Sequence, residues 1–223
     1  MGEPLFKIKI CGITTPDDGQ MVAEAGADAV GLTFYEPSPR YVTIEQAAEI
    51  AKVLPRSVAR VGLFVNASME QILQAAEQVP LDAVQLHGDE RPEFLQQLRA
   101  KIALPILRAF RLGPDGLGPV LDYLDVCRQL DASPDMVILD AYRSGEYGGT
   151  GETADWEAAA RFARLDDRPN LLLAGGLVPG NVAEAIGQVG PDGVDTASGV
   201  ESSPGRKDPE LVRRFIAEAK TLL

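Results

Sequence analysis

Short apolar runs alternate with longer amphipathic segments along the chain. Eight of these runs have the length and residue types of strands, and they lie at residues 5–10, 28–35, 58–65, 82–87, 105–110, 136–141, 171–176 and 193–198. Several are apolar at successive positions, which is typical of strands covered on both faces of a parallel sheet. The pattern therefore predicts an α/β protein built on a parallel sheet.

Helix starts are marked between these runs. Thr15-Pro16 is followed by two aspartates, which predicts a capped helix with proline in its first turn. Residues 43–46 and 68–71 have the capping-box pattern, and Asp208-Pro209 precedes the last amphipathic segment. Eight strand–helix units favour a single (β/α)8 TIM barrel that spans residues 1–223 as one domain. The alternative is a doubly wound open sheet, which normally has fewer strands at this length.

The charge balance argues against some partners. The chain has 21 Lys and Arg against 33 Asp and Glu, a net charge of −12, and no long basic run. We therefore predict no nucleic-acid partner and no membrane partner. An anionic metabolite would have to be held locally, by backbone N–H groups and a few arginines. Two cysteines without a framework spacing, and no apolar run long enough for a bilayer, predict a cytoplasmic protein.

Polar residues follow several of the predicted strands. Cys11 ends the first strand, Arg40 follows the second, and the single histidine, His87, ends the fourth. Asp140 ends the sixth strand, after an apolar run that should be buried, and Asp195 lies in the eighth. The active site of a (β/α)8 barrel lies where the strands end, so these side chains should meet at one rim.

Two glycine-bearing strand ends are candidates for a phosphate site. Gly175-Gly176 ends the seventh strand before a helix expected near Pro179, and Ser198-Gly199 ends the eighth. In this fold the loops after strands seven and eight commonly bind phosphate through backbone N–H groups. Tight turns alone would also explain glycines, but two such ends in consecutive positions favour phosphate binding.

Other features have two interpretations. The long glycine-rich segment 142–152 could be a lid over a ligand or a flexible surface insertion. Asp140 could cap a helix, but the long segment after it favours a functional role. Cys11 could be a small buried apolar side chain or a working thiol, and Cys127 lies in a helical pattern that favours packing.

Two classes of chemistry find little support. One histidine and two distant cysteines do not make an ordinary zinc set, so no metal is expected. The chain also lacks a G-x-S-x-G elbow, and His87 has no evident nucleophilic serine, which argues against a Ser-His-Asp hydrolase.

The combination of motifs is specific enough to name a family. KICGIT, SPRYV, VQLHGDE, YGGTGETADW, LLLAGGLVPGNV and GVDTASGVESSPGRKDP follow one another over nearly the whole chain. In these stretches the chain resembles the phosphoribosylanthranilate isomerase family of tryptophan biosynthesis. The resemblance implies a cytoplasmic enzyme without a cofactor, acting on a small phosphorylated substrate as a monomer or homodimer. The implied reaction is an Amadori rearrangement of an aminoaldose phosphate to an aminoketose phosphate.

The resemblance also assigns roles to individual residues. It implies that Cys11 is the general base, Asp140 the general acid, and Arg40 the partner of the anthranilate carboxylate. Asp195 would lie near the bridging amine of the substrate. The remaining expected site residues line the pocket (Gln85, His87) or the phosphate-binding segments (Gly149, Gly175, Gly176, Ser198, Gly199).

Two stretches depart from the usual family pattern. Glu152 and Ala154 stand where lysine and phenylalanine are common, and the eighth strand is DTASG rather than DVSSG. We expect these changes to affect loop behaviour and affinity more than the reaction. One rival function is that of the histidine-pathway isomerase, which uses carboxylates as acid and base and is therefore disfavoured by Cys11. The other rival is a phosphate-binding barrel that has lost catalysis.

Overall fold

Eight parallel strands close into a barrel, and the helices lie between them along the chain. The computed structural model describes residues 3–141 and 156–223. The strands are β1 Ile8–Ile10, β2 Ala29–Thr33, β3 Ala59–Phe64, β4 Ala83–Leu86, β5 Ile106–Leu112, β6 Met136–Ala141, β7 Asn170–Leu173 and β8 Gly193–Thr196. The main helices are α1 Pro16–Ala25, α2 Ile44–Val53, α3 Met69–Gln78, α4 Pro92–Arg99, α5 Gly118–Gln129, α6 Trp156–Ala163, α7 Val182–Val189 and α8 Pro209–Lys220. A hairpin of β9 (Glu201–Ser203) and β10 (Arg206–Lys207) connects β8 to α8.

The predicted barrel is confirmed by the pairing of the first strand. β1 pairs in parallel with β2 on one side and with β8 on the other. An open sheet would leave β1 or another strand as an edge, so the doubly wound alternative is wrong.

Most strands are shorter than the sequence suggested. The first strand begins at Ile8 rather than residue 5, and Leu5 before it is exposed. The seventh ends at Leu173 rather than residue 176, because Gly175 and Gly176 have φ of 85° and 65°, outside the strand region. The helix after it begins at Val182, not near Pro179.

The strand side chains divide into two apolar groups. One set faces outward and packs against the helices, for example Ile8 and Ile10 of β1. The other set fills the lower part of the barrel and consists of Phe6, Ala29, Val61, Ala83, Leu107, Ala109, Met136, Ile138, Leu172 and Ala174. Because strand side chains alternate, the inward positions nearer the strand ends include Cys11, Gln85, Asp140 and Asp195. The site therefore lies directly above a packed apolar layer.

The same hydrogen bond, from a strand N–H to an aspartate, recurs four times at the opposite face of the barrel, where the strands begin. An aspartate precedes each even-numbered strand and accepts the N–H of the odd-numbered strand before it. The Oδ2 to N distances are 2.9 Å for Asp28 and Ile8, and 2.8 Å for Asp82 and Arg60. The same bond joins Asp135 to Ile106 at 2.8 Å and Asp192 to Leu171 at 2.6 Å. Each acceptor satisfies a strand N–H that would otherwise lack a partner.

The predicted helix caps are present. Thr43 and Ser68 form complete capping boxes with Gln46 and Gln71, and Thr15 accepts the N–H of Asp18. Such caps typically stabilise a protein by about 1 kcal/mol each. Within the described ranges, we find no helix with the length and apolar character needed to cross a membrane.

Candidate active site

A cavity of about 270 Å³ lies at the ends of the barrel strands. Ten of the predicted site residues line it: Cys11, Arg40, Gln85, His87, Asp140, Gly175, Gly176, Asp195, Ser198 and Gly199. Gly149, with the glycine-rich segment that holds Glu152 and Ala154, lies outside the described residues. The structure thus brings all the described candidates to one place.

Cys11 follows β1 directly and is almost fully buried, with 7% of its surface exposed. Its N–H donates to the carbonyl of Thr196 in β8 at 2.8 Å, which continues the β1–β8 pairing. Gly31 of β2 provides the space for the sulfur, because a Cβ at that position would lie 2.5 Å from Sγ. The backbone of Cys11 is therefore fixed to β8, and β2 leaves room for its sulfur.

A buried ion pair lies beneath the thiol. Lys9, in the middle of β1, is paired in register with Asp195 of β8, and its Nζ lies 3.0 Å from Oδ1 of that carboxylate. Lys9 is completely buried, whereas lysines in strands usually face water. Sequence reasoning missed Lys9, although its position two residues before Cys11 places both side chains on the same strand face.

Three neighbouring buried groups have shifted pKa values: the Cys11 thiol, the Lys9 ammonium and the Asp195 carboxyl. Burial raises the pKa of the Cys11 thiol, and the charges of Lys9 and Lys207 offset this effect only in part. For Lys9, burial alone would lower the pKa, but the attraction of Asp195 and of the Cys11 sulfur outweighs it, so the pKa of Lys9 is raised. Burial also raises the pKa of the Asp195 carboxyl, against the effect of Lys9. Lys9 is accordingly a stable cation next to the thiol.

A short polar chain leads to Asp140. The Oδ2 atom of Asp140, at the end of β6, lies 3.5 Å from Nε2 of His87. Nδ1 of His87 lies 3.0 Å from Nε2 of Gln85, which is fully buried in β4. An amide N–H can only donate, so Nδ1 accepts in this arrangement, and a neutral His87 carries its proton on Nε2, towards Asp140. Gln85 and His87 therefore orient a donor at the carboxyl group.

Arg40 is held by an acidic residue that the candidate set did not include. Glu201, in β9, accepts from Nε of Arg40 at 2.8 Å and from Nη2 at 2.7 Å, a two-point contact. Nζ of Lys207 donates to the same carboxylate at 2.8 Å and to the carbonyl of Ala197 at 3.0 Å. The Pro204-Gly205 turn in the sequence is the signal that could have revealed this hairpin. Of the two salt-bridge partners of Glu201, Arg40 lines the cavity, and Lys207 donates to Ala197, which also lines it.

The loop after β7 is fixed to the end of β8. Oγ1 of Thr196 donates to the carbonyl of Leu177 at 2.7 Å. Within this loop, Asn181 accepts the N–H of Val178 at 2.8 Å and donates to the carbonyl of Gly176 at 3.0 Å. The positive φ angles of Gly175 and Gly176 require residues without a side chain. These bonds give the cavity a rigid wall of small residues, suited to the approach of an anion to backbone N–H groups.

Metal-ligating side chains do not cluster in the described part of the chain. No group of three or more His, Cys, Asp and Glu side chains is arranged to hold an ion there. The described site instead offers a thiol, a carboxyl group with a donor beside it, a fixed guanidinium and small loops. Such a set suits proton transfer on an anionic substrate.

Comparisons with known proteins agree with this chemistry. A family model described as N-(5'phosphoribosyl)anthranilate (PRA) isomerase matches residues 8–218. The N-(5'-phosphoribosyl)anthranilate isomerase of Geobacter sp. (strain M21) is 48% identical over 219 residues, which is 98% of this chain and 100% of that relative.

Solved structures give the same result. The phosphoribosyl anthranilate isomerase of Thermotoga maritima has a TM-score of 0.85 at 40% identity, covering 97% of this chain and 100% of that one. A phosphoribosyl anthranilate isomerase in complex with reduced 1-(o-carboxyphenylamino)-1-deoxyribulose 5-phosphate has a TM-score of 0.82 at 37% identity, with the same coverage. Because the family model and these relatives match along nearly the whole chain, the protein belongs to the N-(5'-phosphoribosyl)anthranilate isomerase family.

Proposed function

We propose that residues 1–223 form one catalytic domain that converts N-(5'-phosphoribosyl)anthranilate to 1-(2-carboxyphenylamino)-1-deoxyribulose 5-phosphate in tryptophan biosynthesis. The observation that carries the proposal is the presence of Cys11 and Asp140 in one cavity. Their strands, β1 and β6, are separated by β7 and β8 in the closed barrel. This separation lets one group act on each side of a bound sugar ring.

The reaction needs two proton transfers, and each is assigned to one of these groups. Asp140 protonates the furanose ring oxygen, the bond from this oxygen to C1′ breaks, and the nitrogen lone pair forms a Schiff base. Cys11, as thiolate, removes the proton from C2′ and gives an enolamine. The enolamine then takes up a proton at C1′ and loses one from the C2′ hydroxyl, which forms the ketone. A positioned acid or base typically contributes about 10²–10⁴-fold.

The substrate's anionic groups have partners in the site. The phosphate is proposed to bind at Gly175, Gly176, Ser198 and Gly199, and Gly149 would add to this site from outside the described residues. The anthranilate carboxylate is proposed to bind Arg40. Glu201 occupies the Nε–Nη2 edge of that guanidinium, so the edge that includes Nη1 is the one left for the substrate. Asp195 would lie near the bridging amine, with Gln85 and His87 lining the pocket.

The direct test is a rate measurement with the purified protein. Phosphoribosylanthranilate is supplied, and its disappearance is followed by the loss of anthranilate-adduct fluorescence. We expect Cys11→Ser and Asp140→Asn each to lower kcat by at least about 100-fold, because each removes one proton-transfer group. Binding of the product should change little in both variants.

Each outcome distinguishes the competing functions. Near-normal turnover by Cys11→Ser would show that the base is assigned wrongly. Ligand binding without turnover by the unmodified protein would identify a non-catalytic phosphate-binding barrel. The aminoaldose substrate of the histidine pathway, assayed in parallel, should give the lower kcat/KM, since that reaction normally relies on two carboxylates.

The remaining expectations concern the environment of the enzyme. We propose that it requires neither metal nor cofactor, so activity should be unchanged after dialysis against a chelator. Light scattering of the purified protein measures whether it is a monomer or a homodimer. A cytoplasmic location and the absence of nucleic-acid or membrane partners stay predictions.

A further inference from the structure

Lys9 is a completely buried charged group that the proposed reaction does not use. It lies in the middle of β1, below the cavity that holds Cys11, and none of its surface is exposed. Removing an ammonium group from water is costly unless other groups compensate for the lost hydration. A lysine in this position therefore requires specific partners.

The partners of Lys9 are a carboxylate and the thiol. Asp195 is paired with Lys9 in the β1–β8 register, and the Nζ to Oδ1 distance is 3.0 Å. The Lys9 ammonium also interacts electrostatically with the Cys11 sulfur, and this attraction raises the pKa of Lys9 and lowers that of the thiol. The two side chains share the inner face of β1 because they are two residues apart. One ammonium group thus connects the β8 carboxylate with the proposed base.

The cations that act on Cys11 outnumber the carboxylates paired with them. Three cations interact with its sulfur: Lys9 from β1, Lys207 from β10 and Arg40 from the loop after β2. The carboxylates paired with these cations are Asp195 and Glu201. Beyond them, Asp140 and His87 interact with Asp195 from β6 and from the end of β4.

The three cations are paired with only two carboxylates. With both of these carboxylates ionised and the thiol protonated, the five paired groups carry one uncompensated positive charge. Ionisation of Cys11 would cancel it. In a buried site an opposite charge favours the ionised form of a group, and a neighbouring lysine has this effect on cysteine.

We propose that Lys9 is a positioning residue for the base: its ammonium group stabilises the Cys11 thiolate and orients it, and Asp195 holds Lys9 in place. The effect on turnover rests on the proposed function. The effect on the thiol does not, since it is measured without substrate. A purely structural ion pair would join β1 to β8 but would not control the ionisation of Cys11.

The experiment measures the rate of Cys11 alkylation by iodoacetamide as a function of pH. Mass spectrometry of the peptide that contains residue 11 separates this thiol from Cys127, which is fully buried. In Lys9→Met the midpoint of the rate profile should move to higher pH by about 1–3 pH units, because the cation is lost. In Asp195→Asn, which has nearly the same shape, the midpoint should move to lower pH, because an anion near the thiol is lost.

The controls make the result decisive. Lys52→Met removes an exposed lysine and should leave the midpoint unchanged. Circular dichroism checks that each variant is folded, and if Lys9→Met is not, Lys9→Gln and Asp195→Asn give the same test. Unchanged midpoints in the Lys9 and Asp195 variants, or shifts in the same direction, overturn the inference.

Failure of this inference is distinguishable from failure of the proposed function. If the unmodified protein turns over phosphoribosylanthranilate while the alkylation midpoints do not move, the role of Lys9 is refuted and the function stands. If the midpoints move as expected, the role of Lys9 stands even without turnover. When both hold, the rise of kcat with pH should shift in the Lys9 variant in the same direction as the alkylation profile.

Discussion

Substitution of Gly31 by alanine tests how closely the thiol must be placed. Gly31 lies in β2, which pairs with β1, and its lack of a side chain leaves room for Cys11. An alanine Cβ would lie 2.5 Å from Sγ, 3.0 Å from Cα and 3.2 Å from Cβ of Cys11. Two of the three atoms belong to the Cys11 side chain and one to its backbone, so rotation of the thiol alone does not relieve every contact.

The expected size of the effect follows from these distances. Non-bonded atoms pack best at about 3.5–4.0 Å, so the sulfur must move by about 1 Å. Misplacement of a reacting group by about 1 Å can lower a rate by about 100-fold. Overpacking of a filled interior also typically destabilises a protein by about 1–3 kcal/mol. We therefore expect Gly31→Ala to lower kcat by about 100-fold with a smaller change in KM.

Two measurements check this expectation. Steady-state kinetics with phosphoribosylanthranilate give kcat and KM, and urea unfolding gives the free energy of unfolding. Gly187→Ala is the matched control, because Gly187 lies in α7 and its added Cβ meets no atom within 4 Å. That control should keep full activity and become more stable by about 0.5–1 kcal/mol, since alanine favours helices over glycine.

A normal kcat in Gly31→Ala would refute the reasoning, because it would mean that the sulfur does not need its observed position. A low kcat that accompanies loss of the folded state would be uninformative about the thiol. For that reason the steady-state kinetics of both variants are measured at urea concentrations well below the one at which Gly31→Ala begins to unfold.

Three further changes probe other parts of the molecule. Asp28→Ala removes the acceptor of the part-buried Ile8 N–H, so the free energy of unfolding in urea should fall by about 1–3 kcal/mol. Its kcat/KM should stay normal, since Asp28 lies at the opposite face from the site. Arg40→Lys keeps the charge but loses the two-point contact with Glu201, so KM should rise by about tenfold or more; an unchanged KM would contradict the proposed carboxylate site. Burial raises the pKa of Tyr123 from 10.0 to about 12. Tyr123 therefore ionises at lower pH in the unfolded chain than in the folded protein, and the free energy of unfolding falls as the pH rises between these two values. Tyr123→Phe should therefore lose less stability than the unmodified protein when urea unfolding is compared at about pH 9 and about pH 11; equal losses would contradict this.

The barrel was predictable because its signals are local. Apolar runs mark the strands, and the capping residues Thr15, Thr43 and Ser68 mark helix starts within a few positions. Strand ends were less predictable, since a strand ends where its neighbour stops pairing with it. Leu5 is apolar but exposed, and it lies outside the ladder that begins at Ile8.

The residues that line the site were predictable from the sequence, but the contacts that hold them in place were not. The polar residues at the strand ends were recognisable from their position after apolar runs. Lys9 and Glu201 were not, because each depends on a partner far away in the chain: Asp195 is 186 residues from Lys9, and Arg40 is 161 residues from Glu201. The repeated Asp-x-Val at residues 28–30, 82–84, 135–137 and 192–194 was a readable signal, and only the structure gives it a meaning.

The barrel closes only when β8 pairs with β1, and this affects when the folding chain becomes active. During synthesis Lys9, next to the thiol, emerges 186 residues before Asp195, the carboxylate that anchors it. Contacts between such distant segments form slowly, because a long loop must close first. Recovery of turnover after dilution from denaturant should therefore lag behind the return of helical signal. Two separately produced pieces of the chain should each be inert, and a mixture of them should regain turnover only when the ring is complete.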